Sequence, residues 1–216
     1  MANCCDPRGC DGVFGDRFAR HVEARYRKRG LGRAQARIVD FLVGHDIEGA
    51  TVLEIGGGVG ELQIELLRRG AARATNLELV DAYDGPARQL ADEAGVADRI
   101  ERRILDIATA PQQVERADVV VLHRVVCCYP DVERLLGAAA DHAGRLLVFS
   151  HPPRNLASRT VLGAQNIAFR LTGRTFRTFS HPPARMLAVL AECGLTPVYA
   201  HHGPVWQIVG LQRTPA

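Results

Sequence analysis

The sequence predicts an α/β fold: a doubly wound, mostly parallel sheet with a C-terminal antiparallel hairpin, preceded by a helical cap. Three observations carry this. From residue 50 onward, short apolar runs alternate with amphipathic ones, which is the βαβ rhythm of a sheet with helices on both faces. Ala117-Asp-Val-Val-Val-Leu122 is nearly continuous in apolar residues, as a strand covered on both faces must be. Gly56-Gly-Gly-Val-Gly60 lies between a strand and a helix, where glycines let the backbone pass close beneath a ligand.

The elements follow in order. Phe14 to Arg29 reads as a charged amphipathic helix ending at Gly30, and Gln35 to Val43 as a second with Ile38, Phe41, Leu42 and Val43 apolar. These form a cap over residues 1–47, ahead of a ligand-binding domain over residues 48–213. Within that domain, strands are expected at Thr51–Ile55, Ala74–Leu79, Ile100–Leu105, Ala117–Leu122 and Arg145–Ser150. Helices alternate with them at Glu61–Arg69, Pro86–Ala94 and Asp131–His142, the first two stopped by Gly70 and Gly95. A helical insert at about 154–180 then breaks the rhythm and reads as a lid. Pro183–Cys193 is a further helix. Pro197–His201 and Val205–Leu211 are spaced to pair across His202-Gly203-Pro204.

Composition narrows the function. The 216 residues suit one domain. With 47% hydrophobic and 24% charged residues the chain reads as globular. A formal charge of +3 is well short of a dedicated nucleic-acid binder. Of the 27 basic residues only Lys28 is lysine, a bias that reads as a GC-rich bacterial genome. No apolar run is long enough to span a membrane, and MANCCDPRGCDG has no apolar signal core, so a cytoplasmic location is expected. The six cysteines then read as thiols or ligands rather than disulfides.

The strongest motif is Val52-Leu-Glu-Ile-Gly-Gly-Gly-Val-Gly60. A nicotinamide-type G-x-G-x-x-G starting at Gly56 requires glycine at 61, where Glu61 stands. The spacing is instead E-x-G-x-G-x-G, and a carboxylate at Glu54 suits a cationic ligand end better than a pyrophosphate. Glu78 closes the second strand. Asp106-Ile107 follows the third strand, and His123-Arg124 the fourth.

With these markers in this order, the chain resembles the class I S-adenosylmethionine-dependent methyltransferases over roughly residues 35–213. The resemblance implies their Rossmann-like sheet and S-adenosylmethionine as cofactor. It implies that Glu54, Gly56, Gly57, Gly58 and Gly60 meet the cofactor's carboxypropyl end. Glu78 and Leu79 would then meet the ribose, Asp106 and Ile107 the adenine, and His123 and Arg124 would line the site. Phe18 and Tyr26 of the first helix are candidates to close over it. The Tyr129-Pro130 pair, the helical insert and Pro204-Val-Trp-Gln-Ile208 are similar to features of the magnesium-protoporphyrin IX O-methyltransferases. The N-terminus and insert differ from theirs, so porphyrin specificity is not implied.

Methyl transfer requires an aligned nucleophile, exclusion of water and often removal of a proton. Candidate bases are His151, Tyr129 and His123. Tyr129, Cys127 and Cys128 are candidates to contact a small-molecule acceptor. Arg154 and Arg177 would favour an anionic one, because arginine grips carboxylates and phosphates. Cys4, Cys5 and Cys10 would have to meet Cys127 and Cys128 to hold a soft metal, but no C-x-x-C pair exists, and no metal is expected. Two further readings stand beside methyl transfer: attack on the sulfonium's own aminobutyrate chain, and a binding protein without turnover.

Overall fold

The computed structural model describes residues 9–214. Two helices, α1 (Asp16–Arg29) and α2 (Arg33–Val43), precede the sheet. Then come β1 (Thr51–Ile55), α3 (Glu61–Arg68), β2 (Arg73–Glu78), α4 (Asp84–Glu93), β3 (Ile100–Ile104) and β4 (Ala117–Leu122). The chain continues through α5 (Val132–His142), β5 (Ala143–His151), α6 (Leu156–Leu171), α7 (Pro183–Glu192), β6 (Leu195–His202) and β7 (Gln207–Arg213). The final strand starts at Gln207 rather than Val205, so the hairpin connection is longer than the sequence implies. The insert is helical only to Leu171; residues 172–182 are irregular.

The seven strands lie in the order β3-β2-β1-β4-β5-β7-β6. The first five are mutually parallel, and β7 runs antiparallel to both β5 and β6. The chain winds outward from β1 to β3 and then returns to β4 beside β1. That reversal opens a crevice at the carboxyl ends of β1 and β4, where ligands bind in such sheets.

Strand alternation divides the core. Val119, Val121, Leu146 and Val148 face the layer of α1–α4, whereas Val120, Leu122, Leu147 and Phe149 face α5 and α7. The cap and the sheet share one buried cluster, with Ile38 and Leu42 of α2 packed among Val52 and Val119. Gly210 of β7 is part of this fit, because a Cβ there would enter the Phe41 ring. The cap is also tied down by polar contacts: the Tyr26 hydroxyl donates to Glu65 at 2.8 Å, and Arg27 bridges Glu93 at 2.7 Å.

Candidate active site

The crevice is a cavity with walls from the carboxyl ends of the strands and from α1. The glycine turn after β1 forms its floor. Gly58 has φ +55°, a conformation that L side chains rarely adopt. A Cβ on Gly57 would run into the Asn76 amide and the Glu54 carboxylate. Arg102 of β3 braces the turn from outside, donating to the Gly58 carbonyl at 3.1 Å and to Asp84 at 3.2 Å.

Glu54, Gly56, Gly57, Gly58, Glu78, Leu79, Asp106, Ile107, His123 and Arg124 all line this one cavity. Glu78 accepts the Gly58 N–H at 2.9 Å and the Leu79 N–H at 2.8 Å. The Gly58 bond ties the turn after β1 to the end of β2, and further carboxylate lone pairs are left for a ligand. Burial pushes the Glu78 carboxyl upward. Burial, reinforced by Glu61, pushes Glu54 up to about 8. The Glu54 Oε2 atom has no hydrogen-bond partner among the described residues.

His123 lies deeper. Its conjugate acid is pushed down to about 3 by burial and by the charges of Arg124 and Arg25, so the ring is neutral at ordinary pH. Its tautomer follows from counting protons. The Arg124 N–H donates to Ser150 Oγ at 3.0 Å, and Ser150 Oγ lies 2.8 Å from His123 Nδ1. The serine oxygen could accept from both groups, but its own proton would then have no acceptor among the described residues; donating that proton to Nδ1 satisfies all three groups. The ring proton is thereby assigned to Nε2, which is buried without a partner among the described residues. His123 thus presents an N–H donor rather than a base. Trp206 flanks both residues, with Arg124 over its ring at 5.3 Å and the His123 ring at 5.9 Å.

Other expected residues fall elsewhere. Gly60 is the N-cap of α3 with φ 84° and does not line the cavity. His151 follows Ser150 on β5, so strand alternation turns it to the opposite face. There it stacks on Phe149 and its Nδ1 lies 2.9 Å from the Pro152 carbonyl oxygen. Tyr129 lines the cavity, but its hydroxyl donates to Asp106 at 3.0 Å, which places it with the expected adenine group. Cys128 lines the cavity and Cys127 does not. The adjacent Cys127 sulfur at 3.7 Å, together with burial, pushes Cys128 upward, so it remains a thiol. Arg154 is exposed, and Arg177 donates to the carbonyls of Arg174 and Phe176; neither lines the cavity. Cys10 lines the cavity, while Cys4 and Cys5 lie outside the described residues. Among the described residues no group of three or more His, Cys, Asp or Glu is placed to hold a metal ion.

Several cavity residues were not legible beforehand. Phe14, just before α1, and Val22 of α1 form a wall with Phe18, whereas Tyr26 is turned to Glu65. Glu61, the residue that breaks the nicotinamide pattern, sits on the first turn of α3 and holds Arg25 of the cap at 2.8 Å.

Comparison with known proteins decides the family. A family described as "Methyltransferase domain" matches residues 18–197. The chain belongs to the class I S-adenosylmethionine-dependent methyltransferases. A ribosomal protein L11 methyltransferase of Aeromonas hydrophila is 36% identical to this methyltransferase over 121 residues, covering 56% of this chain and 40% of that protein. Another, from an Enterobacter species, is 36% identical over 83 residues, covering 38% of this chain and 27% of that protein. The chain therefore spans less than half the length of these curated relatives. A magnesium protoporphyrin IX methyltransferase from Synechocystis, with SAH bound, superposes with TM-score 0.70 at 23% identity, covering 94% of this chain and all of that one. An O-methyltransferase family 2 protein from Planctomyces limnophilus, in complex with apigenin, gives TM-score 0.68 at 18% identity, covering 91% of this chain and 62% of that one. At these identities the structural likeness is one of fold.

The cavity fits the cofactor of the class. Glu54 Oε2 and His123 Nε2 are buried polar atoms whose partners are not supplied by the described residues.

Proposed function

We propose that this methyltransferase transfers a methyl group from S-adenosylmethionine to an oxygen or nitrogen of a small, anionic molecule. The carrying observation is that Glu54, Glu78, Asp106 and His123-Arg124, from four strand ends, converge on one cavity. Glu54 would hold the cofactor's ammonium, Glu78 and Leu79 its ribose hydroxyls, and Asp106, Ile107 and Tyr129 its adenine. When bound, the cofactor supplies an electrophilic methyl on a sulfonium.

The chain's own contribution at the acceptor is orientation, charge and exclusion of water. His123 Nε2–H donates to an acceptor oxygen, and Arg124 adds positive charge beside it. Because His123 is held neutral with its conjugate acid near 3, it is a poor general base at neutral pH. An acceptor already carrying a reactive lone pair, such as a carboxylate or a weakly basic nitrogen, suits this site best. Phe14, with Phe18 and Val22 of α1, closes the cavity against water.

A protein acceptor is the second reading, favoured by the names of the curated relatives. Mass spectrometry after incubation with S-adenosylmethionine separates the possibilities. Methyl transfer to a small anionic acceptor leaves S-adenosylhomocysteine and a methylated acceptor. Methylthioadenosine as product would indicate attack on the aminobutyrate chain. Methylation only of added protein would select the second reading. Tight cofactor binding with no product from any acceptor would point to a non-catalytic role.

A further inference from the structure

Helix α6 is built inside out. Of its 16 residues only Phe169 is buried. Helical spacing places Phe169 on the inward side with Leu162, Ser158 and Asn166. That side is largely polar in its bonding: Asn166 exchanges hydrogen bonds with Thr178, donating to its carbonyl at 2.8 Å and accepting its N–H at 2.8 Å. The outward side is apolar. Leu156, Val161, Ile167 and Leu171 are 80%, 65%, 62% and 82% exposed, with alanines between them. Thr160, the polar residue among them, turns its hydroxyl back to the Leu156 carbonyl at 2.9 Å. Scattered exposed apolar residues are ordinary, but a contiguous stripe along one helix marks an interaction surface.

Charge identifies what the stripe meets. Between residues 142 and 191 the sequence contains no Asp or Glu, while Arg154, Arg159, Arg170, Arg174, Arg177 and Arg185 fall in the same stretch. Arg159 and Arg170 border the stripe, and Arg154 and Arg174 flank its two ends; all four are exposed. A second copy docked face to face would bring like-charged borders together without an acid from this segment. An apolar face edged by arginine is instead complementary to a bilayer surface carrying anionic headgroups. At about 1.5 Å per residue, α6 is too short to cross a bilayer and suits lying along its surface.

We infer that α6 docks this methyltransferase onto anionic lipid membranes, with Leu156, Val161, Ile167 and Leu171 entering the interface and Arg159 and Arg170 meeting lipid phosphates. The surface would lie one aromatic layer from the cavity. Phe169 packs on Phe176 at 5.5 Å, Phe176 on Phe14 at 5.2 Å, and Phe14 lines the cavity.

The test is cosedimentation of the full chain with vesicles of phosphatidylcholine plus phosphatidylglycerol, against phosphatidylcholine alone. Binding is expected to the mixed vesicles, much less to the neutral ones, and to weaken with added salt. Arg159→Glu and Arg170→Glu are each expected to lower partitioning by about fivefold or more. The double variant Leu156→Glu/Ile167→Glu should abolish it while leaving thermal unfolding unchanged, because both side chains are already in solvent. Three results would overturn the inference: no preference for anionic vesicles, retention of binding by the double variant, or a dimer in sedimentation equilibrium that the double variant converts to monomer.

Discussion

Glu54 carries the clearest pH prediction of the proposed cofactor site. Burial lets it keep its proton up to about pH 8, against an ordinary value of 4.5. Between these values the folded chain binds more protons than the unfolded one, so this site's contribution to stability falls as pH rises and levels off above about 8. An ammonium placed beside it favours the ionised form. Cofactor binding near pH 7 should therefore release close to one proton, and affinity should increase with pH across that window. Calorimetry in buffers of different ionisation enthalpy reads the release directly; Glu54→Gln should remove it, and buffer-independent heats for the wild type would refute the assignment. His123 makes the opposite prediction. With its conjugate acid near 3, kcat/KM should show no imidazole limb around neutrality. His123→Gln, which retains a donor, should keep more activity than His123→Ala, whose loss should be about tenfold; equal losses in the two variants would argue against a donor role.

At the scale of elements, the strand ends were legible because each carries one chemical marker at a fixed place: Glu54 on β1, Glu78 on β2, Asp106 after β3 and His123 after β4. What the sequence could not show was set by distant partners. Ser150 fixes the His123 tautomer from 27 residues away, and Arg25 reaches Glu61 across 36. His151 turns away from the cavity by a single residue of strand alternation, and only the pairing of β5 with β4 and β7 decides which face is which. The cap also depends on such contacts. Tyr26→Phe removes the hydroxyl held by Glu65 and should cost about 1 kcal/mol in chemical denaturation. Gly210→Ala drives a methyl into Phe41 and should cost about 1–3 kcal/mol. If Gly210→Ala melts like the wild type, the packing of α2 on β7 is looser than described.

For the whole molecule, one crevice at the switch between β1 and β4 gathers the site, and the helical cap closes it while sharing a core with the sheet. The fold class follows from periodicity and the closing antiparallel pair from the spacing of the last two apolar runs, whereas the strand order does not. Nor does the inverted amphipathicity of α6, because which face of a lid helix points outward is settled only by what lies beneath it. The central claim is that this crevice holds S-adenosylmethionine through the Glu78 carboxylate. Isothermal titration with S-adenosylhomocysteine tests it most directly. The wild type should bind, and Glu78→Gln and Glu78→Ala, each still folded by circular dichroism, should bind at least about tenfold more weakly. Absence of binding by the wild type, or undiminished binding by both variants, would contradict it.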